Sequence, residues 1–205
     1  MRLLGRSNSV NVKKVMWCAQ ELGIALERVD MGGPFGGLDN DEFRARNPNA
    51  LIPVLEDGEL MVWESNAIVR YLVASKAPGS LATQNPASIA RCDMWMDWAL
   101  STLSFPFREL FWNKVRMTEE TRDHAAMARG LKITGEKLAV VDRVLSQQPW
   151  LSGDEFGIGD IPVGCYAYAW FNMDIERPEL PHLHAWYERL TQREGYQAHV
   201  MLPVT

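Results

Sequence analysis

An α/β N-terminal third joined to an all-α remainder is the fold class that the sequence predicts, and three observations lead to it. Short strand-like and helix-like pieces alternate over residues 1 to about 75. Within them an Asp-Gly pair separates two apolar runs, a strong hairpin signal. Beyond a linker rich in breakers, only helical spacing recurs.

Taken in order, Arg2-Leu3-Leu4 is a first short strand, and Val15, Cys18, Ala19 and Leu22 form one face of a helix that Gly23 ends. Residues 25–31 form a plausible second strand, and Gly32-Gly33-Pro34-Phe35-Gly36-Gly37 after it is too rich in breakers to be regular. Residues 53–55 and 60–62 flank Glu56-Asp57-Gly58-Glu59 as antiparallel strands, and Ala67, Ile68, Tyr71 and Leu72 recur at helical spacing after them. The pattern reads β-α-β, loop, β-β-α, a small mixed sheet covered by helices.

The stretch KAPGSLATQNPA places a linker at 77–87, between a domain at 1–76 and a helical domain at 88–205. In the latter, Ile89, Cys92, Met96, Ala99, Leu100 and Leu103 give one long stripe, and Leu131, Leu138, Val141 and Leu145 another. IPVGCYAYAWF, residues 161–171, is apolar almost all round and is expected to be a central, wholly buried helix. Shorter helices are expected at 182–190 and 192–200.

Composition narrows the function. With 205 residues, 47% hydrophobic and 23% charged, the chain can bury a sizeable core. A formal net charge of −5 carries no footprint that draws the whole chain to nucleic acid or an anionic membrane. Cys18, Cys92 and Cys165 are far apart and lack metal-ligand spacing, which suits a reducing compartment, and no metal site is expected. The N-terminus has no signal-peptide core and no segment approaches a membrane span, so a cytoplasmic location is expected.

Three places could carry chemistry. Pro53 interrupts an apolar run; a trans proline starting a strand and a cis proline at a sheet edge, turning the Ile52 backbone outward, are both open. Glu64-Ser65-Asn66 sits where the hairpin meets a helix. There a hydroxyl, unpaired N–H groups and the helix dipole favour a carboxylate and Glu64 favours an ammonium, while a plain N-cap explains the same tripeptide. Ser7-Asn8-Ser9-Val10-Asn11 precedes the first helix, where its donors could stabilise an anion such as a thiolate or merely cap.

The segments GRSNSVNVKKVMW, NPNALIPVLEDGELMVWESNAIVRYL and WLSGDEFGIGDIPVG resemble the glutathione transferase superfamily, over nearly the whole chain, in its bacterial serine-type or theta-like classes. The resemblance implies a thioredoxin-like N-terminal domain of order β-α-β-α-β-β-α followed by an all-helical domain. It implies glutathione as co-substrate and no metal. Ser9 then donates to the glutathione sulfur, with Asn11 as a second candidate; Ile52 and a cis Pro53 pair with the cysteinyl unit, and Glu64 and Ser65 hold the γ-glutamyl end. Neither the tyrosine nor the cysteine that other classes use is present near Ser9.

Where some classes carry a lysine, Leu51 stands, so Arg44, Asn49 or the glycine-rich loop near Phe35 is expected to hold the glycyl carboxylate. Phe105, Phe107, Arg108 and Trp112 cluster as a candidate electrophile pocket, or equally as core. Gly157 occupies the place of the usual Ser or Thr three residues before Asp160 in a helix-capping box, a replacement expected to cost about 1 kcal/mol or less. The implied activity is conjugation of glutathione to small hydrophobic electrophiles by a homodimer. Glutathione-dependent disulfide or peroxide reduction, and a non-catalytic glutathione-binding or scaffold module, are the alternatives. No nucleic-acid or membrane partner is expected.

Overall fold

A computed structural model describes all of residues 1–205. Two compact units are formed, Met1–Ser80 with Glu194–Leu202, and Leu81–Arg193 with Pro203–Thr205. The first runs β1 (Arg2–Leu4), α1 (Val10–Glu21), β2 (Glu27–Val29), α2 (Asp41–Arg46), β3 (Val54–Asp57), β4 (Leu60–Trp63) and α3 (Ser65–Lys76). It is the thioredoxin-like order β-α-β-α-β-β-α. The strands line up as β2-β1-β3-β4, β1 parallel to β2 and antiparallel to β3.

Leu3, Leu4, Val54 and Leu55 are fully buried because both inner strands are covered on both faces, by helices and by the cluster of Leu4, Phe43 and Val54 with Met31, Leu38 and Ile52. The hairpin forms one residue later than the Asp-Gly pair suggests. Asp57 pairs with Leu60 in the ladder, and Gly58, at φ 63°, and Glu59 make the turn. Asp57 is held there by the Tyr71 hydroxyl at 2.8 Å and the Lys76 ammonium at 2.7 Å, both from α3.

Two expectations are corrected here. β3 is an inner strand, so Pro53 is not at a sheet edge; it immediately precedes Val54, the first residue of the ladder, where its missing N–H costs no ladder bond. The C-terminal segment, expected in the helical domain, packs with the first unit. There α9 (Glu194–His199) lies against α1, Tyr196 edge-on to Trp17 at 4.8 Å. Gly195 permits that approach, since a Cβ there would sit 2.9 Å from the Trp17 ring.

The second unit is all helix: α4 (Pro86–Trp98), α5 (Ser104–Phe111), α6 (His124–Leu145), α7 (Asp160–Asn172) and α8 (Pro181–Thr191). Five-residue π-helical stretches at Ala99–Leu103 and Trp112–Arg116 continue α4 and α5, making one long rod. The Cys92, Met96, Ala99 and Leu103 stripe is buried as the periodicity predicts, while Ile89 and Leu100 are exposed. α5 presses close to α6 because Gly130 has no side chain; a Cβ there would lie 2.6 Å from the Leu110 nitrogen. α7 is buried almost all round, as its composition requires.

At the start of α7 the wholly buried Asp160 accepts from the backbone N–H groups of Leu151, Ser152 and Gly157 and from Trp186 Nε1, at 2.8–3.2 Å. Burial pushes its carboxyl pKa up, and these donors oppose that rise. The reach back to Gly157 is the half of the capping box that the sequence retains. Its glycine is not merely a weaker cap: a Cβ at 157 would meet Ala82 Cβ at 2.5 Å and the Leu81 carbonyl at 2.6 Å. Packing, not capping, selects glycine there.

Candidate active site

The turn between β1 and α1 is closed by the Ser9 N–H donating to the Arg6 carbonyl at 3.2 Å. Ser9 then occupies the N-cap position of α1 in extended conformation, and the Lys13 N–H donates to its carbonyl at 2.9 Å. Its hydroxyl makes no capping hydrogen bond. The plain capping explanation of this serine is therefore not realised by its side chain. Arg6 reaches back to Asn8 Oδ1 at 2.7 Å and lies over Gly33 of the glycine-rich loop, where a Cβ would be 2.8 Å from its Nε.

Asn11, in the first turn of α1, is the junction of the site. Its Oδ1 accepts from Lys14 Nζ at 2.9 Å and from the Ser65 hydroxyl, at the start of α3, at 3.3 Å. Ser65 and Asn11 are 54 residues apart in sequence, so this bond ties together the two helix starts that sequence reasoning had singled out separately. Lys14 was not foreseen. A lysine inside an apolar face reads as a solvated charge from sequence, yet here it is buried.

Glu64, the residue before α3, is exposed and holds φ 69° and ψ 113°, a region that side chains other than glycine rarely adopt, and its carboxylate does not cap the helix. Ile52-Pro53 is a cis peptide. The Ile52 side chain packs against the first unit's small apolar cluster, close to Gly5 and Gly32, where added Cβ atoms would be 3.3 Å from it.

Asn47, also unforeseen, shapes the approach to Ile52. Its Nδ2 donates to the Leu51 carbonyl at 2.7 Å, and its Oδ1 accepts from the Asn49 N–H at 3.0 Å and Asn49 Nδ2 at 3.2 Å. Asn49 is exposed, and Arg44 is paired with Asp39 at 2.5 Å. Phe35 stands 56% exposed on a single turn of 3-10 helix, Gly33–Phe35.

In the helical unit, Phe105, Arg108 and Trp112 line an open cleft of about 560 Å³ together with Thr102, Glu109 and Ile133. Arg108 lies over the Trp112 ring, 5.8 Å from its centroid. Phe107 does not join them. It is 5% exposed, turned inward against Tyr166 at 4.9 Å between ring centroids. The four residues were grouped by closeness in sequence, and the helical turn sends Phe107 to the opposite face.

Comparison with known proteins decides the family. A sequence profile described as the glutathione S-transferase N-terminal domain matches residues 1–74, and one described as its C-terminal domain matches residues 92–194. The chain belongs to the glutathione S-transferase family. Glutathione S-transferase GstB of Escherichia coli K12 is 42% identical to this family member, with 99% of each chain covered. A theta class glutathione S-transferase from the citrus canker pathogen Xanthomonas axonopodis pv. citri, solved with glutathione bound, superposes with a TM-score of 0.96. It is 54% identical and covers 100% of this chain and 98% of its own. Glutathione transferase F7 of Populus trichocarpa, at 22% identity and TM-score 0.87, shows the shared fold alone.

For a member of this family, the first unit thus brings Ser9, Asn11 and Ser65 to adjoining helix starts. Phe105, Arg108 and Trp112 line a cleft of the second unit. No group of three or more His, Cys, Asp or Glu side chains is placed to hold a metal ion. No helix is long and apolar enough to cross a membrane. All three cysteines are buried and free, and burial pushes the Cys18 thiol well above the usual cysteine range and raises that of Cys92.

Proposed function

We propose that this protein conjugates glutathione to small hydrophobic electrophiles, with the Ser9 hydroxyl and the Asn11 amide as the donors that stabilise the glutathione thiolate. The observation that supports the reading is the Ser65–Asn11 hydrogen bond at 3.3 Å, which joins the helix start proposed to hold the γ-glutamyl end to the one proposed to hold the sulfur. A thiolate held by hydrogen bonds is already the nucleophile, so no general base is needed for attack.

The binding frame follows from polarity. Glu64 meets the γ-glutamyl ammonium, and the N–H groups opening α3 meet the carboxylate together with the Ser65 hydroxyl, whose one hydrogen turns from Asn11 Oδ1 to the ligand and leaves Lys14 on that oxygen. The backbone at Ile52-Pro53 pairs with the cysteinyl unit as an added strand would. Asn49 and the loop at Phe35 take the glycyl end. With an aryl halide, the thiolate forms the new S–C bond and halide leaves with the electron pair. Phe105, Arg108 and Trp112 supply the electrophile subsite, the rings an apolar wall and the guanidinium a partner for an electron-withdrawing group. Phe107 supports that wall from the core.

The protein acts as a cytoplasmic homodimer in this reading, in keeping with its family and its free buried thiols. Binding to a glutathione-affinity resin, followed by assays with an aryl halide and with a glutathione mixed disulfide, tests it. Retention with aryl halide turnover is expected. Retention with turnover of the disulfide alone would replace the transferase by a reductase, and failure to bind glutathione would overturn both.

A further inference from the structure

Lys14 follows Asn11 by one turn of α1, is only 1% exposed, and donates from Nζ to Asn11 Oδ1 at 2.9 Å. An ammonium carries three donors and no acceptor, so the oxygen of the Asn11 amide has to face it. The Ser65 hydroxyl donates to the same oxygen at 3.3 Å. With Oδ1 held by two donors, the Nδ2 hydrogens point away from Lys14.

We infer that Lys14 is a positioning residue that locks the Asn11 amide in the flip that offers N–H donors, not a carbonyl oxygen, to the glutathione sulfur. This rests on the proposal that Asn11 is a thiolate donor. An asparagine amide without such a constraint can present either end, and the two ends act oppositely on an anion: N–H attracts it and C=O repels it. Fixing the flip in advance means no reorganisation is needed when the thiol ionises.

Burying an ammonium is costly unless it is hydrogen-bonded, and a methionine of similar length fills the same space without that cost. A lysine at this point of α1 is accounted for by what it bonds. The adjacent Lys13 is spent differently, its Nζ donating to the Val200 carbonyl at 3.0 Å and so fastening the C-terminal segment. The other charged residues on α1, the turn before it and the α3 segment packed against it are Arg6, Lys13, Glu21, Glu64, Arg70 and Lys76.

The test compares Lys14→Met with Lys14→Gln, which keeps a donor without the charge, by titrating the enzyme-bound glutathione thiol and by the pH profile of turnover. Lys14→Met is expected to move the thiol titration up by about one pH unit and to lower kcat at neutral pH about ten-fold, with KM for glutathione little changed. Lys14→Gln recovers most of both. Asn11→Ala shifts the titration similarly, and the double variant shifts it no further, as for two residues acting through one group.

An effect of Asn11→Ala without one of Lys14→Met overturns the inference and leaves Asn11 as a donor. An effect of Lys14→Met without one of Asn11→Ala overturns it in favour of direct action by the charge. No effect of either removes Asn11 from the chemistry and Lys14 with it. If Lys14→Met does not fold, a crystal structure of the unmodified protein with glutathione decides. Sulfur within hydrogen-bond reach of Asn11 Nδ2, with Oδ1 on Lys14, supports the inference, and sulfur out of its reach overturns it.

Discussion

Ser65 at the start of α3 donates its hydroxyl hydrogen to Asn11 Oδ1 on α1, at 3.3 Å, and is itself only 6% exposed. That is the hydroxyl's one hydrogen, so it serves Asn11 while no ligand is bound and is the hydrogen that a γ-glutamyl carboxylate would take.

Replacing Ser65 by alanine removes the hydroxyl proposed to meet the γ-glutamyl carboxylate, and with it the second donor to Asn11 Oδ1 in the free protein. A hydrogen bond to a charged group is worth about 1.5–3 kcal/mol, so kcat/KM for glutathione is expected to fall about ten-fold or more, mostly through KM. Ser65→Thr retains the hydroxyl and should recover most of it. Steady-state kinetics at varied glutathione checks this; a Ser65→Ala enzyme with unchanged KM but a lower melting temperature would make the residue structural only.

The helical unit offers a prediction of opposite character, on stability alone. Asp160→Ala strands the Leu151, Ser152 and Gly157 N–H groups and Trp186 Nε1 in a fully buried place, and is expected to cost about 3 kcal/mol or more. Gly157→Ser restores the usual capping residue yet should destabilise by about 1–3 kcal/mol, because Ala82 and the Leu81 carbonyl already occupy the space. Thermal unfolding of both variants tests the account, and a Gly157→Ser protein as stable as the parent would refute the packing explanation.

Much of this fold was legible because its signals are local. Periodicity marked α7, which runs one residue further at each end than expected, and the Asp-Gly pair marked the hairpin, whose first strand continues to Asp57, two residues past the expected Leu55. What could not be read depends on partners distant in sequence. Gly157 is chosen by Leu81 and Ala82, the α8 start is capped by Asp142 through the Leu183 N–H at 2.8 Å, and α9 is claimed by Trp17 of α1. At the site, Ser9, Asn11 and Ser65 carry polar groups at helix starts, a pattern visible in one dimension. Lys14 and Asn47 were missed because only a contact map shows what a buried amine or amide is holding. Phe107 was over-assigned because adjacency in sequence says nothing about which helix face a ring takes.

One surface feature carries a pH prediction. Asp57 is held below the usual carboxylate range by the Lys76 hydrogen bond first and the Tyr71 hydroxyl second, and Lys76 is raised in turn. Because the folded Asp57 pKa lies below its unfolded value, the stabilisation is present above about pH 3.9 and is lost as pH falls through the lowered folded value. For Lys76, with a raised folded pKa, it is present below about 10.4 and lost as pH rises through the folded value. An NMR titration of the Asp57 carboxyl should therefore move upward in Lys76→Met, and an unmoved titration would refute the pairing.

The serine that opens α1 provides the most direct check on the chemistry. Its hydroxyl is not used in capping the helix, so Ser9→Ala removes no helix-stabilising bond and the protein should melt within about 0.5 kcal/mol of the parent. The loss falls on the bound thiol instead. If Ser9 is the principal donor, its removal raises the glutathione thiol pKa by about one unit or more and lowers kcat at neutral pH, while the rate recovers as pH rises and the thiolate forms unaided. Ser9→Thr should keep the parental profile. A thiol titration unchanged in Ser9→Ala but shifted in Asn11→Ala would transfer the principal role to the amide, and with it the dependence of the reaction on how firmly that amide is held.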